Sequence, residues 1–306
     1  PPPPPPPPPP PTFFFQADAG NRDPLWSRGL GDVYKRQSLA LKIKEIDKNT
    51  VIYGLDKDMD SMSYSLSKGI IDKKLDINSI DNLKYIFIAI PVDAIKSEID
   101  SILNKISNNT LVVDLGSTKY EICKKVVDHT NRKNFLAAHP IAGTEFSGPS
   151  AATKNLFDNK VLILCETEKT DQDLLSDALK IFDLMIMNII NMDSIEHDKH
   201  IAYVSHLSHI SSFMLGKTVM NKEEDQDTIY DMAGSGFEST VRLAKSSPET
   251  WASIFVENKN NIVESLNEYI SNINNFKTLI KNGDKEKLSA EMKKINGIKE
   301  ILNGIK

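Results

Sequence analysis

The chain has 306 residues, a formal net charge of −5, 40% hydrophobic residues and two cysteines. That length allows two domains with real cores, and the mild, interspersed charge excludes a nucleic-acid-binding or polybasic membrane surface. Cys123 and Cys165 match no metal or redox spacing, so a reduced, cytoplasmic protein is expected, and no stretch approaches the ~20 apolar residues of a membrane span.

Residues 1–37 stand apart. Eleven prolines precede Thr12, Phe13-Phe14-Phe15 and a mixed stretch ending in Lys35-Arg36-Gln37. The run lacks an initiator methionine and the features of a signal peptide, and Phe13 to Gln37 resembles translated adapter sequence. The segment is expected to be foreign and disordered. Gly29-Leu30-Gly31 imitates a phosphate loop, but no apolar strand leads into it and the third glycine is absent, so no cofactor contact is assigned there.

Ser38 to Ile46 has helical spacing and reads as a helix already under way. Val51-Ile52-Tyr53-Gly54-Leu55 is then a short strand followed by Asp56, an acid placed to accept hydrogen bonds from ribose hydroxyls, which favours NAD over NADP. Gly69 to Asp72 is expected to be a turn and short strand. Tyr85 to Ile90 and Thr110 to Asp114 are continuous apolar runs, as in strands covered on both faces. Val92 to Ile106 and Tyr120 to Asp128 have helical spacing between them. Asn134 to His139 is a further strand. Val161–Cys165 and Met187–Ile190 flank a helix over 173–185. This alternation predicts an α/β, Rossmann-like dinucleotide-binding domain over 38–193. Pro91, Ser117 and His139 all fall at the carboxyl ends of strands, where open parallel sheets bind ligands. The preceding strand and glycine loop belong immediately before Ser38, so the domain is expected to be truncated at its N-terminus and to lack a central strand.

From Ser194 the pattern is helical to the end, defining an all-helical domain over 194–306. Asp193 or Ser194 caps its first helix, and His197, His200, His206 and His209 follow within thirteen residues. His206 and His209 are candidates to face the interdomain cleft and hold substrate. His197 and His200 are read as surface or interface groups. No thiolate or His-Glu-x-x-His pattern completes a metal site, so none is expected. Arg242, with a fork suited to a carboxylate, is a candidate substrate clamp, and Glu145 could pair with it. His139 is the candidate base, with Ser117 placed to orient it or the nicotinamide amide.

Asp114-Leu115-Gly116-Ser117-Thr118-Lys119, His139-Pro140-Ile141-Ala142-Gly143-Thr144-Glu145, Ser205-His206-Leu207-Ser208-His209 and Gly234-Ser235-Gly236-Phe237 through Arg242-Leu243-Ala244 together resemble the prephenate dehydrogenase family, with Trp251 and Glu257-Asn258-Lys259 extending the likeness. It covers residues 38–280. Ser208 stands where the family usually has proline, and a Gly-x-Gly-x-x-Gly-Gly loop is implied where segment 1–37 stands.

The resemblance implies NAD-dependent oxidative decarboxylation of prephenate to 4-hydroxyphenylpyruvate and CO2 in tyrosine biosynthesis. His139 would act as catalytic base, Ser117 would link base and cofactor, Arg242 would bind a substrate carboxylate, and His209 would be a second substrate contact. It also implies a homodimer through the C-terminal helices, no chorismate mutase helices before the domain and no regulatory module after residue 280. Arogenate dehydrogenase, and a nucleotide-binding dimer without catalysis, are the alternatives.

Overall fold

A computed structural model describes residues 12–16, 33–142, 152–226 and 229–304. Eight strands form one sheet: β1 Thr12–Gln16, β2 Val51–Leu55, β3 Lys73–Lys74, β4 Tyr85–Ile88, β5 Leu111–Asp114, β6 Phe135–Pro140, β7 Val161–Cys165 and β8 Asn188–Met192. Their order is β3-β2-β1-β4-β5-β6-β7-β8, and β6–β7 is the antiparallel pairing. Helices α1 Val33–Ile46, α2 Met59–Ser67, α3 Val92–Leu103, α4 Tyr120–Val126 and α5 Gln172–Leu184 cover the faces. Strand order reverses between β1 and β4, which creates the crevice in which such sheets take ligands.

Patterning explains the layering. Every residue of β4, β5 and β6 is buried, because helices cover both faces, so these strands are apolar apart from Asp114 and His139 at their carboxyl ends. Ile95, Ile99, Ile102 and Leu103 on α3 face Ile86, Ile88 and Val112, while Leu39, Ala40 and Ile43 on α1 join Phe87 and Val113 in the core of the opposite face. Each such fully buried aliphatic side chain contributes about 1.5–3 kcal/mol.

The expectation that residues 1–37 are disordered needs correction at two places. Thr12–Gln16 is not a tail but the central strand β1, parallel to β2 on one side and β4 on the other, with Phe14 in register with Tyr53 and Ile86. Two neighbouring strands with unpaired backbone groups make a slot that a β-favouring phenylalanine run can fill. The sheet therefore does not lack its central strand. In addition, α1 begins at Val33, so a boundary at residue 38 falls inside a helix. Gly29-Leu30-Gly31 lies outside the described residues. The turn at Gly69 has φ 64°, but the strand after it is displaced to Lys73–Lys74 while Ile70 and Ile71 pack into the core.

From Ser194 the described chain is helical: α6 Ser194–Ile201, α7 Leu207–Gln226, α8 Ser235–Val241, α9 Pro248–Glu257, α10 Lys259–Lys281, α11 Lys285–Ile295 and α12 Ile298–Gly304. Asp193 caps α6, accepting from the N–H groups of Ile195 and Glu196. The sequence suggests one helix over 249–269, but Asn258 (φ −106°) breaks it into α9 and α10. Lys96 on α3 joins the two layers, 3.2 Å from Glu121 and 3.1 Å from Glu257. Among the described residues no helix is long and apolar enough to cross a membrane.

Candidate active site

Pro91, Ser117 and His139 follow or end the adjacent parallel strands β4, β5 and β6, so they share one sheet edge. Behind this edge lies a buried ion pair. Lys119 Nζ bonds the Asp114 carboxylate and, at 2.9 Å, the carbonyl of Ala138, the residue before His139. Both side chains are fully buried. Asp114 also accepts the Gly116 N–H at 2.7 Å, which shapes the turn carrying Ser117. A Cβ on Gly116 would fall 2.9 Å from Ile95 Cδ1, 3.0 Å from Asp114 Oδ1 and 3.1 Å from Val92 Cγ1, so a side chain there would press on all three.

His139 is 6% exposed and its Nδ1 lies 2.8 Å from His197 Nε2. His197, on α6, is 1% exposed, and its Nδ1 lies 2.8 Å from Asp198 Oδ1. Asp198 accepts the N–H groups of Lys119 at 2.7 Å and Tyr120 at 3.0 Å. An acid of the helical domain thus caps α4 of the sheet domain. Burial holds the His139 imidazole well below its usual range, and the charges of Lys35 and Lys119, or a second proton on His197 or His206, act in the same direction. A ring so placed stays neutral.

Of the surface and interface readings of His197, the surface one is corrected: its ring bonds His139 across the two domains. It is buried because α6 packs on the strand tips, and a neighbouring His-Asp pair was its sequence signal. His200 is exposed. The hydrogen bond to His139 Nδ1 involves His197, while Ser117 stands half-buried at the neighbouring tip.

His206 ends a π-helical turn over Ala202–His206, an irregularity frequent at functional sites. It is 1% exposed, edge-on to Trp251, and its Nδ1 meets Asn258 Nδ2 at 3.2 Å. Asn258 also donates to the Asp198 carbonyl at 2.7 Å, a contact made available by the break between α9 and α10. Burial pushes His206 down to about 4. His209, one turn on, is half-buried and stacks on Trp251 at a centroid separation of 3.4 Å, with its Nδ1 3.0 Å from the Ser205 carbonyl. Burial also lowers His209, and the nearby Arg242 charge adds to this effect. Arg242 itself is exposed. Glu145 lies outside the described residues. Among the described residues no group of three or more His, Cys, Asp or Glu is arranged to hold a metal ion.

On the other side of the crevice, Asp56 follows β2 and borders a small pocket of about 30 Å³ shared with Gly54, Ser61 and Ser65. Its carboxylate accepts from Arg36 Nη2 at 2.9 Å and from the Asp58 N–H at 2.9 Å. Each oxygen keeps a lone pair for a further donor.

A parallel sheet with a crevice at its reversal point, joined to a helical domain that closes on the strand tips, defines a two-domain protein of the dinucleotide-binding oxidoreductase type. Residues 39–190 match the family described as prephenate dehydrogenase, nucleotide-binding domain, and residues 193–294 match prephenate dehydrogenase, dimerization domain. The chain belongs to the prephenate dehydrogenase family.

It is 30% identical over 251 residues to the prephenate dehydrogenase of Bacillus subtilis (strain 168), covering 79% of this chain and 66% of that one. A second relative, from Lactococcus lactis subsp. cremoris (strain MG1363), is 27% identical over 238 residues, covering 74% and 63% respectively. The chain thus spans less than two thirds of the length of these curated relatives. The crystal structure of prephenate dehydrogenase from A. aeolicus in complex with hydroxyphenyl propionate and NAD+ superposes with a TM-score of 0.83 at 26% identity, covering 95% of this chain and 98% of that one.

Proposed function

We propose that this chain catalyses the NAD-dependent oxidative decarboxylation of prephenate to 4-hydroxyphenylpyruvate and CO2, a step of tyrosine biosynthesis, as a homodimer joined through its C-terminal helices. The observation that carries this reading is a buried His139 at a strand tip, bonded to His197 of the helical domain, whose neighbouring helices set His206 and His209 against Trp251. NAD, when bound, supplies the acceptor for the hydride removed from the ring carbon that carries the hydroxyl.

His139 takes the hydroxyl proton, and its neutrality near pH 7 is what a general base needs. As carbonyl character develops on the ring, the ring carboxylate leaves as CO2 and aromaticity is regained. Arg242 offers two parallel N–H groups to a substrate carboxylate. His209, held flat on Trp251, presents its Nε2 edge as a second contact. Ser117, half-buried at the neighbouring strand tip, is assigned to link the base and the cofactor. Asp56 accepts from the ribose hydroxyls, and Pro91 forms part of the cofactor wall. His206, edge-on to Trp251, supports that aromatic pair, and Glu145 is assigned as a further substrate-binding residue.

Turnover is tested by following NADH formation with prephenate and, in parallel, with arogenate, whose amino acid side chain replaces the pyruvyl group. NADH formation with prephenate at the greater kcat/KM is the expected result. A large preference for arogenate would move the substrate assignment, and no turnover with either would remove the reading.

A further inference from the structure

Which nitrogen of a histidine carries the proton is set by the partner of the other nitrogen. Behind His139 those partners form a short chain that can be read from its far end. Both oxygens of Asp198 accept main-chain N–H groups, Oδ1 from Lys119 and Oδ2 from Tyr120. Each oxygen therefore serves as a hydrogen-bond acceptor in this arrangement. The 2.8 Å contact between His197 Nδ1 and Asp198 Oδ1 is then a donation by His197. A neutral His197 with its hydrogen on Nδ1 has a bare Nε2, which can only accept. His139 Nδ1, 2.8 Å away, therefore carries a hydrogen and donates it. The lone pair of His139 is left on Nε2.

We infer that His197 and Asp198 form a positioning dyad that fixes His139 in the Nδ1–H tautomer, with Nε2 as the proton-accepting atom, and that carries the positive charge formed there. This rests on the reading of His139 as the base. When His139 Nε2 takes the substrate hydroxyl proton, the O–H electron pair stays with the substrate oxygen. The His139 Nδ1 proton then passes to His197 Nε2, so that His139 is neutral again and His197 is the cation, in contact with the Asp198 carboxylate. One proton enters the chain of three groups, and its net charge rises from −1 to zero.

The arrangement answers a physical difficulty. A ring buried on the strand tips, with Lys119 and Lys35 on the sheet side and His206 on the helical side, is a poor place for an isolated imidazolium. A carboxylate two bonds away in the relay offsets that cost. Its supports are independent of substrate: Asp198 is held by α4 through two N–H groups, and Asn258 holds its carbonyl.

The first experiment needs no turnover. Imidazole 15N spectra of the ligand-free protein, with His139 assigned by loss of its signals in His139→Asn, read the tautomer directly. The Nδ1–H form is expected, and the Nε2–H form would overturn the dyad. The second experiment uses two variants. His197→Phe removes the acceptor and is expected to lower kcat about 100-fold, with substrate KM and NAD affinity within about twofold of wild type. His197→Gln keeps an acceptor oxygen but cannot carry the proton. It should recover part of kcat, and the acid limb of kcat/KM should move about one pH unit lower, because the imidazolium is no longer stabilised. A purely structural His197 would leave that limb unmoved. An unshifted limb, or His197→Phe within threefold of wild-type kcat, would overturn the inference. Wild-type inactivity toward both prephenate and arogenate would overturn the functional reading instead, and the substrate-free tautomer measurement separates the two failures.

Discussion

Replacing one member of the Asp114–Lys119 pair tests how the strand tips are held. Both side chains have zero exposure, and the Lys119 ammonium has Asp114 and the Ala138 carbonyl as its partners. Asp114→Asn leaves that ammonium buried without an opposite charge, which costs about 3–5 kcal/mol. For a domain of this size each kcal/mol lowers Tm by roughly 2–4 °C. Lys119→Met leaves a buried carboxylate that escapes by taking a proton. Burial already holds Asp114 above the usual carboxylate range, against the opposing pull of Lys119 and the Gly116 N–H. Without Lys119 it rises further. An acid whose folded pKa exceeds its unfolded one leaves the variant most stable below the unfolded value, near 3.9. Stability is then lost as pH rises toward the folded value, at about 1.4 kcal/mol per pH unit. Urea unfolding of Lys119→Met at pH 5, 6 and 7 should therefore show a widening deficit against wild type. The double variant Asp114→Asn/Lys119→Met keeps the acceptor for Gly116 and removes both charges, so it should recover most of the loss. A pH-independent deficit in Lys119→Met, or a loss under about 1 kcal/mol in Asp114→Asn, would refute the reasoning.

His139→Asn should lower kcat by about 10²–10⁴-fold. Because the His139 pKa is depressed, wild-type kcat/KM should stay level as pH falls through the ordinary histidine range and decline only below it, read from an initial-rate pH profile. His206 titrates at about 4 when folded against 6.5 as a free side chain, so its contribution is fully present above pH 6.5 and is lost as pH falls from there toward 4. The full loss is about 3 kcal/mol, and urea unfolding of His206→Gln should show a shallower acid slope than wild type. Arg242→Ala should raise substrate KM by about 10–100-fold while leaving NAD affinity within twofold, as expected for a lost carboxylate clamp. Phe14→Pro removes a ladder N–H from the middle of β1 and should destabilise the protein by about 1–3 kcal/mol in urea unfolding, the cost of a buried acceptor left unpaired. An unpaired N-terminal tail would show no change.

The sheet domain was largely legible because its strands are short apolar runs and its tips fall at proline, glycine and histidine. Those signals are local. Three features were not legible, each for a reason of distance. β1 was missed because the phenylalanine run carries no sign of the slot it fills, which is formed by β2 and β4 far along the chain. The break at Asn258 was missed because apolar spacing continues across it, while its cause is the pull of Asp198 and His206 on the side chain. His197 reads as a surface or interface group because a polar helix start looks solvated. Only the docking of α6 on the strand tips buries it.

That docking changes what the helical domain does for the catalytic base. Asp198 caps α4 through Lys119 and Tyr120, Lys119 holds the carbonyl beside His139, and His197 holds the His139 ring. The same two residues of α6 therefore fix both the backbone on which the base sits and the orientation of its imidazole. If the two domains separate at this contact, the α4 N-terminus loses its cap and His139 loses its partner together. Lys96, bridging Glu121 and Glu257 a turn away, sits where it opposes that separation. It is partly exposed, so the pair is weak by itself, and its effect should be seen in the base rather than in stability. Lys96→Met is expected to leave Tm within a few degrees of wild type while lowering kcat several-fold. Loss of Tm with unchanged kcat would place the bridge in folding alone and uncouple domain docking from the alignment of His139.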